Sequence, residues 1–157
     1  MFSRLLVVAV TIGILATGTG FLAPDPVYAS DSQEYGKTFV GSWVVNLESD
    51  AFPPFTNLSS VIKDGIVINT DPVFGTGHGV WKRIGKSEFS VKFIHQVPPD
   101  DPAFPVGTSL VVTAELVISK GGSSGSGTFR VVATNPVFGE LVFATGMLTA
   151  ERITLGD

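Results

Sequence analysis

An all-β fold, an eight-stranded antiparallel up-and-down β-barrel with no major helix, is what this sequence predicts. Three observations carry the expectation. Eight short apolar segments separated by turn signals run from Phe39 to Ile153. Their apolar residues recur with period two, and no stretch of useful length shows the three-and-four spacing of an amphipathic helix. A meander of that many strands closes most simply on itself, which removes the exposed edges that a flat sheet would leave. Hydrophobic residues make up 44% and charged residues 15% of the 157 positions, enough to fill the core of one domain.

The segments follow in order. Gly41 to Leu47 alternates Trp43, Val45 and Leu47 against Val44 and Asn46, as a half-buried strand does. Ala51 to Phe55 reads as loop, because Pro53 and Pro54 have no amide to give to a ladder. Asn57 to Ile62 and Ile66 to Thr70 flank Lys63-Asp64-Gly65, a hairpin turn with glycine where positive φ is wanted. His78 to Ile84 and Glu88 to Val97 flank Gly85-Lys86-Ser87 in the same way. A proline-rich acidic loop, Pro98 to Pro105, leads into the strand Thr108 to Ser119. Gly121 to Gly127 reads as a flexible connector. Gly127 to Asn135 and Glu140 to Ile153 form the last pair, turning through Pro136-Val137-Phe138-Gly139.

Charged positions tell which faces point inward. Lys92 toward water sends Phe89, Val91, Phe93 and His95 inside; Glu115 outside leaves Leu110, Val112, Ala114, Leu116 and Ile118 within. Arg130 outside places Phe129, Val131 and Ala133 within. The last strand is apolar on both parities, and Gly146 is the expected site of a bulge that switches its register. Thr70-Asp71-Pro72-Val73-Phe74-Gly75 is echoed by Thr134-Asn135-Pro136-Val137-Phe138-Gly139. These are two similar Asx-Pro turns of one meander, or, on a sharper reading, a pair of phenylalanine gates at one mouth.

The N-terminus has the form of an export signal spanning 1–29. Arg4 precedes an apolar stretch, and Val27-Tyr28-Ala29 before Ser30 satisfies the small-residue cleavage rule. Its competing reading is an anchor, since Leu5 to Leu22 carries no charge over about 18 residues, near the lower limit of a spanning helix. The Thr, Gly and Pro content favours cleavage, which leaves no stable membrane insertion. Residues 30–38 are then a flexible polar leader and 39–157 the barrel domain. Secretion or delivery to a periplasm is the expected localisation. The chain has no cysteine, so no lipid attachment at a cysteine and no disulfide is available to it. The net charge of −4, with no basic stripe, argues against nucleic acid as partner.

Gly41-Ser42-Trp43 on the first strand resembles the Gly-x-Trp of lipocalins, and the whole barrel domain looks like a calycin relative. The resemblance implies that Trp43 plugs one end of the barrel and that Arg152 lies across its ring, a cation-π contact worth roughly 0.5 to 2 kcal/mol. The chain has no helix after the last strand and no disulfide, which brings it nearer to compact helix-free barrels such as the allene oxide cyclase-like and dirigent-like groups. Those groups include cyclases and isomerases.

An eight-stranded barrel is at the size where side chains fill the inside or one small ligand occupies it. The leading expectation is an exported barrel that binds a small apolar molecule among Trp81, Phe89, Phe93 and Phe129, with His78 or His95 as orienting polar groups. The alternative is a cofactor-independent isomerase or cyclase in which His95, His78 or Glu115 assists proton transfer. A third is a filled barrel that serves as a protein-interaction module. His78 lies between glycines in Gly77-His78-Gly79-Val80-Trp81, more commonly the form of a strand-entry turn, and His95 at the end of its strand more commonly is a satisfied core histidine. Metal binding is not expected from two histidines and the pair Asp100-Asp101, which reads as solvated loop charge. No cofactor is expected. Asn57-Leu58-Ser59 is formally a glycosylation sequon.

Overall fold

The computed structural model describes residues 39–155; the expected signal, the leader and the last two residues lie outside the described residues. The chain forms eight strands: β1 Gly41–Ser49, β2 Phe52–Ile62, β3 Ile66–Asp71, β4 Gly75–Arg83, β5 Glu88–Gln96, β6 Ser109–Ile118, β7 Ser124–Asn135 and β8 Gly139–Arg152. Each pairs antiparallel with its neighbour in sequence, and β8 returns to β1 to close the barrel. The closing ladder runs from Trp43 opposite Arg152 to Ser49 opposite Gly146.

Turn chemistry explains the tight links. Between β2 and β3 a short 3₁₀ turn, Lys63–Gly65, has positive φ at both Asp64 (72°) and Gly65 (87°). Aspartate tolerates that region better than most residues and glycine adopts it without strain.

Two segments expected as loops are strand. Pro53 and Pro54 lie within β2, because β2 reaches beyond β3. The β2–β3 ladder begins only at Leu58 opposite Thr70, while Phe52 and Phe55 still pair with Ser49 and Leu47 across an irregular step in β1. Prolines survive there because no second neighbour asks for their missing amides. Within the glycine-rich run, the turn is confined to Ser119–Ser123, where Gly122 N–H donates to Ser119 O at 2.9 Å. From Ser124 the chain is already ladder, Gly125 opposite Ile118 and Gly127 opposite Leu116. A β-carbon on Gly125 would come within 2.7 Å of Ile118 Cδ1, and one on Gly127 would overlap the Glu115 carbonyl. These glycines therefore permit close strand approach.

The register switch in β8 falls at Phe143. Val131 pairs with Ala144 while Val132 pairs with Val142, which leaves Phe143 as the extra residue. Phe143 reaches the interior while Ala144 is also buried. Gly146 instead makes room for its neighbours, since a β-carbon there would overlap Glu48 O and come within 2.8 Å of the Phe129 ring.

The apolar core is the barrel interior. Phe89, Val91, Phe93 and His95 of β5 are buried, as are Leu110, Ala114, Leu116 and Ile118 of β6 and Phe129, Val131 and Ala133 of β7. Sequence parity predicts all of these. It assigns no face on β2 and β3, where Leu58 (51% exposed), Ile62 and Ile66 face out and Asn57 and Asn69 face in.

Candidate functional site

One end of the barrel is shut by aromatic packing. Trp43 is buried, and its indole Nε1 donates to Phe39 O at 2.9 Å. Phe39 stacks on Phe89 with centroids 4.4 Å apart and meets the edge of Trp81 at 5.3 Å. The Arg152 guanidinium carbon sits 4.5 Å from the Trp43 ring centroid. Its Nη1 donates to Val40 O at 2.8 Å and its Nε to Gly122 O at 2.7 Å. Gly41 makes this possible: its φ is 145°, and a β-carbon would overlap Arg152 Nη1.

Above that floor lies a cavity of about 440 Å³. Its walls are largely apolar, with Val45 and Leu47 from β1, Val112 and Ala114 from β6, and Phe129 and Leu148 from β7 and β8.

Phenylalanines crowd the opposite mouth. Phe52 meets Phe55 at 5.0 Å and Phe143 at 6.4 Å; Phe143 meets Phe104 at 5.2 Å, and Phe104 meets Phe74 at 6.0 Å. Phe74 is set by an Asx turn in which Asp71 Oδ1 accepts the N–H groups of Val73 (2.7 Å) and Phe74 (2.9 Å). Phe104 rides on the loop between β5 and β6. That loop is tied down by Asn135, whose Nδ2 donates to Val106 O at 3.1 Å and to Thr108 Oγ1 at 2.9 Å. The two echoed turns do lie at this end, yet Phe138 is 42% exposed and outside the cavity lining. Phe74 is thus paired with Phe104, because the second copy uses its asparagine to hold a neighbouring loop.

A polar group occupies one sector of the wall. Asn57 and Ser59 of β2, Asn69 and Asp71 of β3, and His95 of β5 all line the cavity. Asn57 Nδ2 donates to Asn69 Oδ1 at 3.2 Å, and Asn69 Nδ2 donates to Ser59 Oγ at 2.8 Å. His95 Nε2 lies 3.0 Å from the same Asn69 Oδ1. Only 2% of His95 is exposed, and burial pushes its pKa below the ordinary histidine value, with the nearby Asp71 carboxylate pulling the other way. The imidazole has room because Gly77 has no side chain: a β-carbon there would stand 2.8 Å from His95 Cε1.

Of the residues singled out in the sequence, Phe93, His95 and Phe129 come together around the cavity. Trp81 and Phe89 instead belong to the aromatic packing at the closed end, and Trp81 Nε1 donates to Ile62 O at 2.8 Å. His78 is exposed opposite Ile68 and Ile94, since Gly77 and Gly79 take the inward positions of β4. Glu115 is exposed on the outer surface between Ser90 and Thr128, so neither group reaches the interior. Asp101 is engaged locally, accepting the Ala103 N–H at 2.8 Å. Asn57 is buried with its amide bonded inside the barrel, so the folded chain does not present the sequon to a glycosylating enzyme.

Sequence reasoning overlooks Asn57, Ser59, Asn69 and Asp71. Their signal is present: Val67, Asn69 and Asp71 share one parity, as do Asn57, Ser59 and Val61. It is masked because apolar residues of these two strands lie on both faces, Val61 and Val67 inside and Leu58, Ile62 and Ile66 outside.

The fold and cavity define a closed eight-stranded up-and-down barrel with a hollow, mainly apolar interior and one polar sector. Comparison with protein-family models, with curated proteins and with solved structures finds no match.

Proposed function

We propose that this barrel holds one small, largely apolar molecule in its interior, and that the chain is exported to do so. The observation that carries the reading is the cavity of about 440 Å³, closed by the Trp43–Phe39–Phe89 packing at one end and ringed by phenylalanines at the other. That volume falls within the range of about 300 to 1,000 Å³ typical of small-molecule sites. A ligand burying about 300 Å² of apolar surface would gain about 7 kcal/mol before ordering costs. A filled barrel acting only through its outer face has no use for such a space. The contact of Arg152 with Trp43, together with Gly41, supports kinship with the calycins, in which a Gly-x-Trp strand and a late arginine close one end.

A second reading, a cofactor-independent isomerase or cyclase, is favoured by one group. His95 is a buried imidazole held neutral by its surroundings, which is the form that a general base takes before accepting a proton.

Native mass spectrometry of protein purified from its source tests the container reading. A co-purifying mass in the small-molecule range is the expected result, on a polypeptide that begins at Ser30. An empty barrel that also takes up no hydrophobic fluorescent probe refutes it.

A further inference from the structure

The polar atoms of the interior are gathered. They come from β2, β3 and β5, while β1, β6, β7 and β8 contribute only apolar side chains to the cavity lining. Leaving a buried amide or imidazole atom without a partner is unfavourable by about 1 to 3 kcal/mol. Yet two atoms of this sector, Asn57 Oδ1 and His95 Nδ1, are buried with no hydrogen-bond partner among the described residues. Such atoms mark a place where a buried site meets something besides the protein.

The direction of the hydrogen bonds decides what that something must offer. Asn69 Nδ2 is engaged with Ser59 Oγ, so Asn69 Oδ1 is the atom that faces both Asn57 and His95. It can only accept, which requires that Asn57 present its NH₂ and His95 its Nε2–H. The neutral ring then carries a bare lone pair on Nδ1, and Asn57 is left with its carbonyl oxygen. Asp71 adds no donor, since its carboxylate accepts two backbone N–H groups. The two atoms that the sector leaves without a partner, Asn57 Oδ1 and His95 Nδ1, are therefore both acceptors.

We propose that the natural occupant carries a hydroxyl group on an otherwise apolar frame, and that its hydrogen is accepted by one of the two orphaned atoms, His95 Nδ1 or Asn57 Oδ1. This rests on the container reading and deepens it. An alcohol or phenol satisfies an acceptor; an ether, ketone or ester of the same shape brings further acceptors and leaves the mismatch in place. The apolar half of the cavity takes the frame, so the molecule is oriented with its hydroxyl toward β2, β3 and β5.

Calorimetric titration of the mature protein with 1-naphthol, 1-methoxynaphthalene and 1-methylnaphthalene separates the contributions. The phenol should bind about tenfold or more tightly than either analogue, the ratio expected of one buried hydrogen bond of about 1.4 kcal/mol. At least one of His95→Phe and Asn57→Val should reduce that preference to about twofold or less while 1-methylnaphthalene keeps its affinity within a factor of about three; a preference unchanged in both overturns the assignment. A merely structural role would weaken all three together and would overturn the assignment. Equal binding of the three by the unaltered protein, or a preference for the ether, also overturns it while leaving the container intact. Failure of all three to bind refutes the container reading at this ligand size, and the hydroxyl assignment falls with it.

Discussion

Replacing Gly77 by alanine tests whether the imidazole of His95 is held where the polar sector needs it. The new methyl would lie 2.8 Å from Cε1, 2.9 Å from Nε2 and 3.0 Å from Nδ1 of that ring. Carbon atoms rest at about 3.5 to 4.0 Å, so the ring must withdraw by roughly 0.7 to 1 Å. A withdrawal of that size along the bond would stretch the 3.0 Å contact of Nε2 with Asn69 Oδ1 past hydrogen-bonding range. Loss of the bond contributes about 1 kcal/mol and overpacking about 1 to 3 kcal/mol. Alanine also restricts the unfolded chain, which returns about 0.4 to 1 kcal/mol. Net destabilisation should be about 1 to 3 kcal/mol in urea unfolding, accompanied by a change in the imidazole nitrogen shifts of His95. The decisive comparison is the double variant with His95→Ala, in which the methyl enters vacated space. Its cost should fall short of the sum of the two single variants by at least about 0.5 kcal/mol. Strict additivity, or an undisturbed imidazole in Gly77→Ala, would refute this account of the glycine.

Three further outcomes follow from the same geometry. Because the folded-state pKa of His95 is lowered by burial, the unfolded chain binds more protons below the ordinary histidine value. Stability should therefore fall as pH drops through about 6.5 toward the folded pKa, and the pH profile of the unaltered protein minus that of His95→Phe should isolate this slope from the carboxylates. At the closed end, Arg152→Met removes the contact with Trp43 and the bonds to Val40 and Gly122. Urea unfolding should register a loss of about 2 to 4 kcal/mol; a loss below about 0.5 kcal/mol would show that the arginine closes nothing. At the mouth, Phe104→Ala should speed dissociation of a bound hydrophobic probe in stopped-flow fluorescence, whereas Phe138→Ala should leave the rate unchanged. Equal effects would contradict the placement of the two rings.

How far the fold is legible in the chain depends on the strand. On β5, β6 and β7 one charged or apolar residue every second position reports the inside directly, and Lys92, Glu115 and Arg130 orient whole strands. The plug at Trp43 is legible through the family resemblance that Gly41-Ser42-Trp43 and Arg152 carry, not through residue type alone. On β2 and β3 no such charge pattern assigns a face, and the structure exposes Leu58, Ile62 and Ile66 while the asparagines point in. The prolines of β2 and the glycines of β7 mislead for a related reason. Whether a proline or glycine breaks a strand depends on what its neighbours ask of it, and local sequence does not contain those neighbours.

By itself the sequence determined the number of strands, their antiparallel order and the inward residues of the strands that carry charge. Those properties are local, arising from period-two alternation and turn chemistry. Tertiary structure alone decided that the interior is hollow and that His95 and Asn57 both meet Asn69. It also decided that Trp81 and Phe89 join the plug, and that Phe104 closes on Phe74. Each of these depends on which side chains of eight strands meet across a closed sheet, and on glycines such as Gly77 whose meaning lies in the ring pressed against them.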